Sequence, residues 1–202
     1  MTNEIGERIR SSLDNVSFDK TKQNIAAVLL HDVVFDNQRA IYDLVRGDHI
    51  GAAAALLRVL FEAHVKAIWI ERCATDSEVD MIYCDSLKSR AHKRQNMKFQ
   101  EMINHIEIQN PALNGSLTKF KTDHWKGLNS LTHSGASQFR NRVKNGAIRK
   151  VFSNQLISEI IKFSDRFAIG SFVYVSQISK DIDSMKNALD LSKEKLNISI
   201  AQ

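Results

Sequence analysis

The stretch IGAAAALLRVLFEAHVKAIWI, residues 50–70, is apolar on almost every face of a helix. A helix of that kind is stable only when neighbours cover it on most sides, so it marks the centre of a bundle. The central buried helix is expected over about residues 48–73. Its run Ala52-Ala53-Ala54-Ala55 lets a neighbouring helix approach closely. Arg58, Glu62, His64 and Lys66 interrupt the apolar surface, and so many polar and charged groups argue against a membrane span. Turn residues are scarce: one proline and eight glycines in 202 residues. A β-sandwich or barrel of this length needs more of them. Hydrophobic residues make up 43% and charged residues 25%, the balance of a folded chain rather than a disordered one.

The expected architecture is therefore all-α: a single-domain helical bundle of about six to eight helices spanning residues 1–202. A short amphipathic helix opens the chain at GERIRSSLDNV. A long one follows, with Asp19 as N-cap and Gly47 as C-cap, and its apolar residues Ile25, Val28, Leu29, Val33, Ile41, Leu44 and Val45 recur at helical spacing. After the central helix, Thr75 to Glu78 (TDSE) has the capping-box pattern and starts another helix. A basic helical region then runs to about residue 109, where Pro111 breaks it. The candidate site helix covers about 116–133. The polar stretch SGASQFRNRVKNGA reads as a loop, and no strand is expected. Ser153 caps a long helix, NQLISEIIKFSDRFAIGSFVYVSQIS, and a polar helix over 180–196 follows it.

Charge is unevenly distributed. Net charge is +5, yet residues 86–150 hold thirteen Lys/Arg against three acids. Such segregation suits a polyanionic partner, nucleic acid first. Five of those basic residues fall between Phe139 and Lys150 with no acid among them. Forked guanidinium groups suit phosphate, so Arg140, Arg142, Lys144 and Lys126 are candidate nucleic-acid contacts. The alternative for these residues is a solvated basic surface. Cys73 and Cys84 lack disulfide or zinc-site spacing and read as buried free thiols of a reducing cytosol. MTNEIGERIRSSLDN has no apolar core of a signal peptide, so a cytoplasmic protein without membrane attachment is expected.

Four residues are candidates for chemistry. Arg58 and Glu62 are four apart and share a face of the central helix, where a charged pair needs partners or a cleft. The alternative is an internal ion pair that fixes helix register. His133 falls at a helix end, where the macrodipole favours imidazolium, and Ser134 and Gly135 leave room around it. Histidine in such a place serves acid–base chemistry near neutral pH, or simply caps the helix. Asn129 precedes it by one turn. His64 lies about 120° from Arg58 around the helix and reads as a core histidine. Trp69 and Trp125 also read as core. There is no phosphate-binding glycine loop, no GxSxG elbow and no zinc-ligand pattern, so neither metal nor cofactor is expected.

The polar pair on a central helix, together with the helix end LNSLTHSG (residues 128–135), resembles the HEPN superfamily (higher eukaryotes and prokaryotes nucleotide-binding). LNSLTH is similar to that family's RN-x-x-x-H motif: Asn129 stands at the polar position and His133 at the histidine, while Leu128 replaces the arginine. RVLFEAH (residues 58–64) also has a loose arginine-to-histidine spacing. The resemblance implies a helical bundle, often dimeric, and a metal-independent ribonuclease of the toxin–antitoxin or phage-defence kind. It implies RNA as target, a cognate antitoxin or defence partner, and His133, Arg58, Glu62 and Asn129 as the catalytic set, with Arg58 reaching His133 from another helix. A non-catalytic module that binds RNA, a nucleotide or a protein partner is the alternative, because Leu128 stands where the motif has arginine.

Overall fold

The computed structural model describes residues 2–83 and 97–196. Its core is an antiparallel pair, α2 (Lys22–Arg46) and α3 (Ile50–Arg72), joined by residues 47–49. The two make the most extensive helix contact in the fold. Such a short connection leaves the second helix no course but back along the first. α1 is Glu4–Leu13, α4 is Asp76–Tyr83, α5 is Phe99–Gln109 and α6 is Ser116–Thr132. After α6 come α7 (Ala136–Arg140), a hairpin of β1 (Val143–Lys144) and β2 (Ala147–Ile148), α8 (Asn154–Ser179) and α9 (Ile182–Leu196). The described residues thus form an all-α bundle of nine helices with one small hairpin, and α7 is the helix the sequence did not suggest.

α3 sits at the centre, packed by α2, α5, α6 and α8. Leu60, Phe61, Ile68 and Ile70 are fully buried. Phe61 anchors an aromatic cluster with Phe99, Phe120 and Phe167 at centroid separations of 4.9–5.5 Å. A second core joins α1, α8 and α9 through Ile5, Ile9, Ile169, Phe172, Ala188 and Leu191. One strip of α3 is left uncovered. Ala52 and Val59 are exposed on it, and Arg58, Glu62 and Lys66 are half-buried. Three of the charges that interrupted the apolar pattern therefore lie on the less covered side of α3.

Several local expectations are met. Gly47 caps α2, Ser153 Oγ accepts from Leu156 N–H at the start of α8, and Glu78 accepts from the Thr75 N–H in the capping box. Others need correction. Thr21, not Asp19, caps α2, its Oγ1 accepting from Asn24 N–H, while Asp19 pairs with Lys180 at 2.8 Å. Leu29 and Val33, two of the apolar residues at helical spacing, are on the solvent side of α2. Cys73 is half-buried, its thiol pushed up by burial; Cys84 lies outside the described residues. The expected loop instead contains α7 and the hairpin. Asn145 and Gly146 both have positive φ, +53° and +75°. That pairing makes the tight turn whose twist matches two antiparallel strands.

Two histidines are buried between α2, α3 and α8. His64 meets the core expectation, and its Nδ1 lies 2.8 Å from Ser171 Oγ. His31 is fully buried, stacked on Tyr174, and neither ring nitrogen has a hydrogen-bond partner among the described residues. Burial holds His31 well below the ordinary histidine value, helped by His64 close by, and brings His64 down to about 3. Both are neutral when folded, whereas the unfolded chain binds protons below the ordinary value of 6.5. Their contribution is therefore complete above pH 6.5 and is lost as pH falls toward about 3. Denaturant titrations should show stability falling between pH 6.5 and 5 by up to about 1.4 kcal/mol per pH unit for each histidine. His64→Gln, which keeps a hydrogen-bonding group but cannot titrate, should make that slope shallower. An unchanged slope would mean that His64 titrates freely in the fold.

Candidate functional site

α3 and α6 meet so that the uncovered strip of α3 faces the C-terminal end of α6. Arg58 Nε donates to Glu62 Oε1 at 2.8 Å, the i,i+4 geometry expected from spacing. Arg58 Nη1 lies 2.5 Å from His133 Nε2. An arginine can only donate, so a hydrogen bond here requires Nε2 as the acceptor and the ring proton on Nδ1. The third contact is aromatic: Arg58 Cζ is 4.9 Å from the centre of the Trp125 ring. The guanidinium is thus held on two edges and one face, with 21% of the Arg58 side chain exposed and open to a ligand.

His133 is the C-cap of α6, its N–H donating to Asn129 O at 2.9 Å. Ser134 then turns the chain with φ +53°. The turn closes through Gly135 N–H to Ser130 O at 2.7 Å and Ser137 N–H to Ser130 Oγ at 3.1 Å. Thr132 Oγ1 donates to Leu128 O at 2.9 Å and reaches Ala55 O at 3.3 Å, which fixes the end of α6 against α3. Gln138 Nε2 donates to Gly51 O and Leu131 O, which brings α7 to the first turn of α3.

The structure brings Arg58, Glu62 and His133 together. Asn129 is adjacent through its backbone only; its Oδ1 is buried and has no hydrogen-bond partner among the described residues. Leu128, at the motif's arginine position, is 4% exposed and packs in the core. A cation at 128 would face apolar side chains, so a guanidinium can reach His133 only from another helix. Arg142 lies over Gly51, close enough that its Nη2 would be 2.6 Å from a Cβ there. Gly51 and Arg58 are seven residues apart, on one face and separated by about 10 Å along α3. Arg140 and Lys126 are exposed, and neither has a carboxylate partner among the described residues. Lys144 is on β1.

Trp125 packs at the edge of the core, with one face turned to Arg58. It is half-buried, stacked on Phe99 with centroids 5.1 Å apart, and Lys121 Nζ is 5.3 Å from its ring. Its spacing from Lys121, one helical turn, was the available signal, but nothing in the sequence joined it to Arg58. Among the described residues no group of three or more His, Cys, Asp or Glu side chains is placed to hold a metal ion. No helix of the described residues is long and apolar enough to cross a membrane.

The protein is thus a helical bundle that presents a guanidinium–imidazole pair at the meeting of α3 and α6. The chain belongs to a family of unknown function (DUF6988), whose match spans residues 31–196. That span includes every candidate site residue and leaves out α1. Comparison with curated proteins and with solved structures gave no match for either.

Gly135 is the tightest point of the turn that presents His133. A Cβ there would stand 2.6 Å from Ser130 Oγ, 2.9 Å from Ser130 Cα and 3.0 Å from Ser130 O. Two of those atoms are backbone and cannot swing away. Gly135→Ala should destabilise by about 1–3 kcal/mol, measured by denaturation, and shift the His133 resonances. A fully stable variant would show that the turn is looser than its geometry.

Proposed function

We propose that this chain is an RNA-targeting protein in which Arg58 and His133 cleave the phosphodiester backbone without a metal, as a toxin or phage-defence effector of the HEPN kind. The observation that carries the reading is the 2.5 Å approach of Arg58 Nη1 to His133 Nε2, from two helices distant in sequence. A phosphodiester is the ligand that both groups can share. Its anionic oxygens compete for the Nη edge of Arg58, and as they take it, Nε2 is released as a base. His133 then removes the proton from a ribose 2′-OH, and O2′ attacks phosphorus. The P–O5′ bond breaks, and the same proton passes to O5′, leaving a 2′,3′-cyclic phosphate and a 5′-hydroxyl. Arg58 stabilises the charge that grows on the phosphoryl oxygens. Glu62 orients Arg58 through Nε. Because the nucleophile is the 2′-OH, DNA is not cut.

Arg142, over the first turn of α3, and the exposed Arg140 and Lys126 extend the positive strip along which the flanking phosphates lie; Lys144 belongs to the same basic stretch. On this reading the chain works in the cytoplasm as a homodimer, restrained by a cognate antitoxin or defence partner. A second reading keeps the RNA and drops the chemistry. It is favoured by the core position of Leu128, which removes the motif's own arginine. Arg140→Ala with Arg142→Ala would then weaken RNA binding and flatten its salt dependence.

Expression of the wild type should degrade cellular RNA and arrest growth, and purified protein should cut RNA in the presence of a chelator. His133→Ala should lose about 10²–10⁴-fold and Arg58→Ala about 10²–10³-fold in cleavage rate. Equal activity of wild type and His133→Ala would sink the catalytic reading, and binding without cleavage in the wild type would establish the second one.

A further inference from the structure

We infer that Trp125 is a positioning residue: its ring keeps the Arg58 guanidinium in place after His133 has let it go. The inference rests on the proposed site but makes a separate claim about how that site is held. In the resting structure three groups fix the guanidinium, and the scheme above requires one of them, His133, to be surrendered to substrate. What remains is Glu62 on Nε at 2.8 Å and the Trp125 ring at 4.9 Å. Glu62 cannot fix the plane alone. It is 39% exposed, and a single contact to Nε lets the guanidinium rotate about its long side chain. A cation over an indole face loses its attraction when it swings aside, so the ring supplies the missing restraint.

Trp125 can do this because it is itself restrained. Phe99 stacks on it with planes 19° apart, and Phe99 packs edge-on against Phe61 in the core, centroids 5.5 Å apart. Lys121 is placed beside the stack, 5.3 Å from Trp125 and 5.7 Å from Phe99, and Gln100 Oε1 accepts from its Nζ at 2.7 Å. A chain of contacts therefore runs from the core phenylalanine to the catalytic guanidinium: Phe61, Phe99, Trp125, Arg58. It uses residues from α3, α5 and α6, so the arginine's geometry depends on how these three helices pack.

The test reads the Arg58 Nε–H signal by ¹H–¹⁵N NMR, without RNA cleavage. In His133→Ala, which imitates the surrendered contact, the signal should stay resolved and upfield, in the ring current of Trp125. Adding Trp125→Leu should move it to the averaged position of a free arginine, and Trp125→Phe should restore most of the upfield shift. An Nε–H signal that is the same with Trp125→Leu as without it overturns the inference. A second measurement covers the case in which Trp125→Leu does not fold. Trp69 is 2% exposed and its Nε1 has no hydrogen-bond partner among the described residues, so Trp69→Phe removes no hydrogen bond seen there and leaves one tryptophan. Inorganic phosphate should alter the emission of that protein, and the added Arg58→Gln should abolish the change. Emission indifferent to phosphate also overturns the inference. Failure of RNA cleavage with both signals intact would overturn the ribonuclease reading and leave the role of Trp125 standing.

Discussion

The site depends on one guanidinium held on a helix that is otherwise packed from nearly every side. Arg58 is tolerated there because α3 keeps one strip free, and because Glu62, His133 and Trp125 each take a different part of the group. The pair with Glu62 is a poor stabiliser. It is partly exposed, and arginine preceding glutamate by four residues is the weaker order along the helix dipole. A register-fixing ion pair would be buried on both sides and in the stronger order. The proposed anion site draws instead on the Nη edge, which faces the His133 imidazole.

The turn after α6 matters as much as the arginine. His133 reaches Arg58 because Thr132 ties the helix end to Ala55 O and because Ser130 and Gly135 pack without room for a side chain. The same turn leads into α7 and the hairpin, which bring Arg142 over the first turn of α3. One short segment of chain therefore brings His133 to Arg58 and Arg142 to the first turn of the same helix.

Most of the bundle was legible in the sequence, because hydrophobic period and capping residues act locally. The limits of α3, the end of α6 at His133 and the Ser153 cap all follow from neighbours a few positions away. Arg58 with Glu62 was legible for the same reason. The meeting of Arg58 with His133 came from the resemblance, since no local rule links positions 58 and 133. Trp125 does pack against the core, but its second contact, with Arg58, was not legible, because only the packing of α5 against α6 decides which face of the ring is covered. Leu29 and Val33 show the converse: helical spacing marks them as apolar, but the bundle leaves their side of α2 open. The hairpin was missed although Asn145-Gly146 is a strong turn signal, because its strands are too short for an alternating pattern. His31 carries no sequence signature at all; its burial is set by the meeting of α2, α3 and α8.

The proposed site stands on Arg58 donating to His133 Nε2 in the resting protein. The most direct measurement is the ¹⁵N chemical shifts of the His133 ring at neutral pH, with His133→Gln to assign them. The account requires a neutral imidazole protonated on Nδ1, and a loss of that tautomeric preference in Arg58→Gln. A ring protonated on Nε2, or one whose tautomer ignores the loss of Arg58, would contradict it.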